Sequence, residues 1–153
     1  MKVKSVSFEN YKAFYEKQIM RLKPITILIG KNSSGKSSIA KLFTLFENSL
    51  QGNIDEPLLL KNNGVELGAE FDNLFFGNNP GGIPLIFKIV FENNVEIEIG
   101  LLKKDDGYGL DVFQWKYRDD AQEFELELND EGYLDVLSNK IYDCEFKGFV
   151  PTK

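Results

Sequence analysis

Polar and apolar residues alternate along Val3–Phe8, the pattern of a short strand with one face partly solvated. Asn10-Tyr11-Lys12-Ala13-Phe14 follows as a turn, and Lys17–Leu22 reads as a second strand. Pro24 opens a third, Ile25-Thr26-Ile27-Leu28-Ile29, which is apolar at nearly every position and ends at Gly30. A run of that kind is expected at the centre of a sheet covered on both faces. From Lys36 the period changes. Ile39, Phe43, Phe46 and Leu50 recur at steps of four and three, the stripe of a helix laid on a sheet, and Gln51-Gly52-Asn53 stops it.

Beyond residue 52 the texture becomes β-rich. Asn62-Asn63-Gly64 is a turn, Ala69–Phe76 a short helix or irregular packing segment, and Gly77–Pro84 a loop crowded with Asn, Gly and Pro. Leu85–Glu92 and Val95–Leu102 form a hairpin through Asn93-Asn94. Strands are predicted at Tyr108–Tyr117, Glu123–Leu128, Tyr133–Leu137 and Ile141–Phe149, punctuated by Asp106-Gly107 and Asp130-Glu131-Gly132. The expected architecture is α/β: a P-loop core with its first strands and helix in 1–52, and an antiparallel β-rich portion of the same domain in 53–153.

That core is predicted from one motif. Gly30-Lys31-Asn32-Ser33-Ser34-Gly35-Lys36-Ser37 fits G-x-x-x-x-G-K-[ST] at every fixed position. Glycines let the backbone curl until successive N–H groups face phosphate oxygens. The helix beginning near Lys36 adds its positive amino end. Lys36 is placed to reach the β- and γ-phosphates of a nucleoside triphosphate. Ser37 is placed to ligate Mg²⁺, and Ser38 to reinforce the phosphate contacts. The motif alone is short enough to occur by chance, but a strand before it and a striped helix after it are the context it requires.

Composition narrows the rest. With 42% hydrophobic and 13% aromatic residues the chain has material for a packed core. No apolar run approaches the roughly 18 residues of a membrane span, and the start at Lys2-Val3-Lys4 has no signal-peptide pattern. The single Cys144 forms no internal disulfide, and the absence of histidine removes most zinc chemistry. A cytoplasmic, reducing location is the expectation. The net charge of −6 divides into +6 over residues 1–50 and −12 over 51–153. The basic third suits phosphates, or is ordinary fluctuation on an acidic surface. The acidic remainder argues against a broad nucleic-acid platform.

The turn Asn10-Tyr11-Lys12-Ala13-Phe14, then Leu22-Lys23-Pro24 and the strand into Gly-Lys-Asn-Ser-Ser-Gly-Lys-Ser-Ser, resembles the opening of ABC/SMC/RecF-like and OLD-like ATPases. Leu67-Gly68-Ala69-Glu70-Phe71-Asp72-Asn73-Leu74 and Lys147-Gly148-Phe149-Val150-Pro151 look like internal segments of an AAA-type, ABC-like bacterial branch of that group. The resemblance implies ATP and Mg²⁺ as ligands, Lys12 near the nucleotide (the alternative being a solvated turn lysine), and a homodimer formed through ATPase heads. DNA, or an effector nuclease, follows by analogy alone. Tyr11 and Phe14 are read either as packing near the base or ribose or as core anchors.

Other elements of such a head are not found. Phe124–Glu131 ends in Asp130-Glu131 but alternates apolar with acidic residues, unlike a Walker B strand. Leu137-Ser138-Asn139-Lys140 is no signature motif, and Gln114 reads better as a strand residue beside Trp115 than as a nucleotide-sensing glutamine. The resemblance therefore implies a hydrolytic half beyond Pro151. A GTPase would need an Asp after Asn139-Lys140-Ile141, where Tyr142 stands; Asp106-Gly107-Tyr108-Gly109 is better explained as a hairpin turn. A P-loop kinase would want an arginine-rich lid, and the chain has only Arg21 and Arg118. A non-catalytic interaction module using Phe87, Phe91, Trp115, Tyr117 and Phe124 is the remaining alternative, against the reading of those aromatics as the core of a meander.

Overall fold

In the computed structural model, which describes residues 2–152, the alternating amino-terminal segment forms β1 (Val3–Glu9) and folds back onto β2 (Gln18–Arg21). Helix α1 spans Lys36–Gln51. A ribbon of β3 (Lys61–Asn62) and β4 (Val65–Glu66) and two 3-10 turns, Phe71–Leu74 and Phe76–Asn78, lead into a meander. Its strands are β5 (Leu85–Phe91), β6 (Glu96–Lys103), β7 (Leu110–Arg118), β8 (Glu123–Asn129), β9 (Gly132–Asp135) and β10 (Lys140–Tyr142). A last ribbon pairs β11 (Glu145–Lys147) with β12 (Val150–Thr152). The main sheet runs β10-β9-β8-β7-β6-β5-β1-β2, so β1 joins the amino-terminal hairpin to the meander.

Every ladder among the described residues is antiparallel. The expected α/β P-loop lobe is therefore not the fold, which is a mostly antiparallel sheet with one α-helix among the described residues. The reason lies in the connections. Parallel neighbours need crossovers of a dozen or more residues, whereas β5 to β10 follow one another through short turns that allow only antiparallel pairing. The predicted central strand Ile25–Ile29 joins no ladder. Ile25, Ile27 and Ile29 are 82%, 75% and 90% exposed, so its apolar side chains are not covered. The predicted strand Ile141–Phe149 is two short strands in different sheets, β10 and β11, divided at Asp143-Cys144.

The core forms where α1 meets the meander. Along β5, Leu85, Phe87, Ile89 and Phe91 alternate inward. Helix α1 buries Leu42, Leu45, Phe46 and Ser49. The predicted stripe shares Phe46 with that face, while Ile39, Phe43 and Leu50 are only partly buried against it. Phe43 and Ala40 instead border a groove of about 690 Å³ with Leu22 and Leu28, beside the unpaired Ile25–Ile29 segment. No helix among the described residues is long and apolar enough to cross a membrane.

The far end of α1 is locked. Gly52 closes it at φ 65°, and the Phe149 N–H donates to the Ser49 carbonyl at 2.7 Å. Gly148 sits at φ 59°, where a Cβ would overlap the Ser49 backbone. Trp115, the sole tryptophan, donates its indole N–H to the Phe149 carbonyl at 2.9 Å and so reports on this junction. Gly148→Ala combines a left-handed backbone with a backbone clash, and the expected loss is about 2–4 kcal/mol. Urea unfolding followed by Trp115 fluorescence measures it; an unchanged midpoint would refute this account of the helix end.

Candidate functional site

Between Leu28 and α1 the chain turns through Gly30–Gly35, with Ser33 at φ 64° and Gly35 at φ 88°. Gly35 is also the residue that starts α1, and the Ile39 N–H donates back to its carbonyl at 3.1 Å. No side chain caps this amino end, and the first helical turn carries no acidic residue. The orphan N–H groups and the positive end of the helix dipole are therefore not neutralised by a local carboxylate. They border a cleft of about 300 Å³ lined by Ala13, Asn32, Ser33, Gly35, Lys36, Ser37 and Ser38. That combination suits an anion with several acceptor oxygens.

Lys36 supplies the local charge. Its ammonium donates to the Gly30 carbonyl at 2.8 Å, to the Lys31 carbonyl, and more distantly to Ser34 Oγ at 3.4 Å. All three acceptors are neutral, and none of the ion pairs among the described residues includes Lys36. Its charge is solvated by the loop without being cancelled.

The turn after β1 supports the loop from below. Asn10 and Lys12 adopt φ 54° and 55°, and tertiary hydrogen bonds hold both. The Lys12 N–H donates to the Leu74 carbonyl at 2.8 Å, and the Phe76 N–H to the Asn10 carbonyl at 3.1 Å. Asn10 Nδ2 reaches the Ile83 carbonyl at 2.9 Å. Between them Tyr11 is fully buried, packs edge-on against Phe87 at 5.4 Å, and donates its hydroxyl to the Ser38 carbonyl at 3.1 Å. Phe14 lies under Gly35, where a Cβ would come within 2.7 Å of its ring. The two aromatics are thus anchors beneath the loop.

Of the residues predicted for the site, Asn32, Ser33, Gly35, Lys36, Ser37 and Ser38 line the cleft, and Gly30, Lys31 and Ser34 hold the Lys36 side chain. Lys12 is not brought to it. Its ammonium donates to the Leu67 carbonyl, and burial, with a smaller contribution from Lys41, lowers its pKa from the ordinary lysine value. Ala13, absent from the predicted set, is in the lining. Its only sequence signal was its place between Tyr11 and Phe14.

The other motifs resolve into structure. Glu125 of the Phe124–Glu131 stretch pairs with Lys116 across β7 and β8. Gln114 stands on β7 opposite Gly100 and Glu127. Asp106–Gly109 is the turn between β6 and β7, closed by the Tyr108 N–H to Asp106 Oδ1 bond at 2.8 Å. Phe87, Phe91 and Trp115 are buried in the core, with Tyr117 and Phe124 packed partly against it. No group of three or more potential metal-ligating side chains occurs among the described residues.

Comparison with known families identifies residues 1–148 as matching the AAA ATPase domain. No curated protein matches the chain.

The two glycines of the loop differ in what they tolerate. A Cβ on Gly30 meets only the hydroxyl of exposed Ser34, which can rotate away, whereas Gly35 combines a positive φ with the Phe14 ring. Gly35→Ala is expected to lose about 1–3 kcal/mol, and Gly30→Ala no more than about 0.5 kcal/mol. Urea unfolding of the two variants checks this, and equal losses would contradict the packing described.

Proposed function

The chain belongs to the AAA ATPase domain family, and from that premise we propose that Gly30–Ser38 binds ATP with Mg²⁺ as part of an SMC/RecF/ABC-like head. The observation that carries this reading is the pairing of an uncapped α1 amino end with a Lys36 ammonium held on neutral oxygens. A triphosphate supplies the negative oxygens that both lack. Lys36 would meet the β- and γ-phosphates, the backbone of residues 32–37 would receive phosphate oxygens, and the Ser37 hydroxyl would help hold the magnesium ion. Ser38 adds a second hydroxyl beside the phosphates. Bound magnesium would neutralise charge that develops on the γ-phosphate during hydrolysis.

Hydrolysis further needs a carboxylate to hold the ion's water and a group to orient the attacking one. Glu125 is engaged in a strand-to-strand ion pair, and no group of three or more potential metal ligands occurs among the described residues. In this reading those groups come from a further part of the head, and turnover requires a second head as partner. The exposed Ile25, Ile27 and Ile29 beside the loop fit such an assembly, because contiguous exposed apolar side chains mark association surfaces.

Titration calorimetry with ATP and Mg²⁺ tests the binding claim. Wild type is expected to bind ATP in preference to GTP, since no guanine-reading element accompanies the loop. Lys36→Ala is expected to weaken binding at least about 100-fold, the scale of losing a charge-assisted contact together with its partner's desolvation, while its urea midpoint stays near that of wild type. Wild-type affinity retained in Lys36→Ala would sink the proposal.

A further inference from the structure

We propose that the Tyr11 hydroxyl is a positioning group for the nucleotide loop, setting the first turn of α1 from the sheet side through the Ser38 carbonyl. The proposal rests on the reading of Gly30–Ser38 as an ATP site. Three observations carry it. Tyr11 is a fixed post: it is fully buried, and both flanking residues are held at positive φ by hydrogen bonds to residues 74, 76 and 83. Its hydroxyl spans from that post to the helix, meeting the Ser38 carbonyl at 3.1 Å. Among the described residues, no other side chain from outside the loop hydrogen-bonds to residues 35–39.

The chemistry of the contact is one-way. Burial pushes the Tyr11 phenol above its ordinary pKa, so it remains protonated and donates. In helical geometry the Ser38 carbonyl also accepts from the Leu42 N–H. A second donor on the same oxygen restricts how far the first turn can rotate or slide over the sheet. Lys36 and Ser37 stand two residues and one residue before Ser38, so that restriction fixes where an ammonium and a hydroxyl meet the phosphates. The aromatic rings of Tyr11 and Phe14 supply packing that any benzene ring would supply; the hydroxyl supplies direction.

Tyr11→Phe separates the two, and Tyr133→Phe is a matched control. Tyr133 likewise donates its hydroxyl to a backbone carbonyl, that of Val112 at 2.7 Å, but belongs to β9 in the meander. Both variants are expected to show similar, small shifts in urea midpoint. Only Tyr11→Phe should speed amide exchange at residues 39–42 in the nucleotide-free protein beyond its global change. It alone should also weaken ATP binding, by about three- to tenfold, the scale of one neutral hydrogen bond. Exchange and affinity in Tyr11→Phe that match Tyr133→Phe would overturn the positioning role. Faster exchange with undiminished ATP affinity would overturn it as well, since the tether would then not matter to the site. A wild type that binds no ATP would instead overturn the nucleotide reading, and the proposal with it, whatever the exchange data show.

Discussion

Phe46 meets Phe87 at 5.0 Å and Phe149 at 5.5 Å, and through those contacts the only α-helix among the described residues is fastened to β5 of the main sheet and to the turn of the β11–β12 ribbon. A helix of 16 residues is marginal in water by itself. It persists because Leu42, Leu45 and Phe46 are buried together, at about 1.5–3 kcal/mol for each such side chain. The loop depends on this packing, since Gly35 is both its end and the start of the helix. The other end of α1 is held at Ser49 by Phe149 and Gly148, which places the loop by a rigid lever anchored one helix length away.

The loop was legible in the sequence because its constraints are local. Spacing alone puts two glycines, a lysine and a serine within one curl of backbone, and the helix that follows announces itself by period. The meander was legible for the same reason: alternation along Leu85–Phe91 and the Asn93-Asn94 turn need no distant partner to be read. Ile25–Ile29 was not. Its apolarity states that it can be buried, but a ladder depends on which segment comes alongside, and no property of five residues carries that information. The Tyr11 and Ser38 contact was hidden likewise, being made across 27 positions of sequence. Lys12 shows the converse case, in which a position near the loop in sequence pattern is drawn away by a carbonyl at Leu67.

The Lys36 ammonium is held on neutral oxygens, an arrangement that suits the proposed anion site. A carboxylate partner would hold it more tightly, yet would have to be displaced at the expense of leaving a second charge behind. Carbonyl oxygens of Gly30 and Lys31 orient the ammonium and leave its charge intact. An incoming anion then replaces neutral acceptors with charged ones, which is a gain in hydrogen-bond strength at nearly constant number. The uncapped amino end of α1 follows the same logic, with orphan N–H groups retained next to the cleft.

The loop is consequently asymmetric. Its carboxyl side is fixed by α1, by Phe14 beneath Gly35 and by Tyr11 at Ser38, whereas its amino side continues into Ile25–Ile29, which no strand holds. In the proposed site, curling the backbone around phosphates would require both sides to be held, and any freedom left on the amino side would subtract from binding. A segment that pairs with Ile25–Ile29 and covers its isoleucines would remove that expense beforehand and tighten phosphate binding. Linkage would then require the reverse: phosphate in the loop would tighten the grip of such a segment by the same factor. On the proposed reading, an apolar segment left outside the sheet beside a phosphate-binding loop would tie ligand binding to assembly through backbone order.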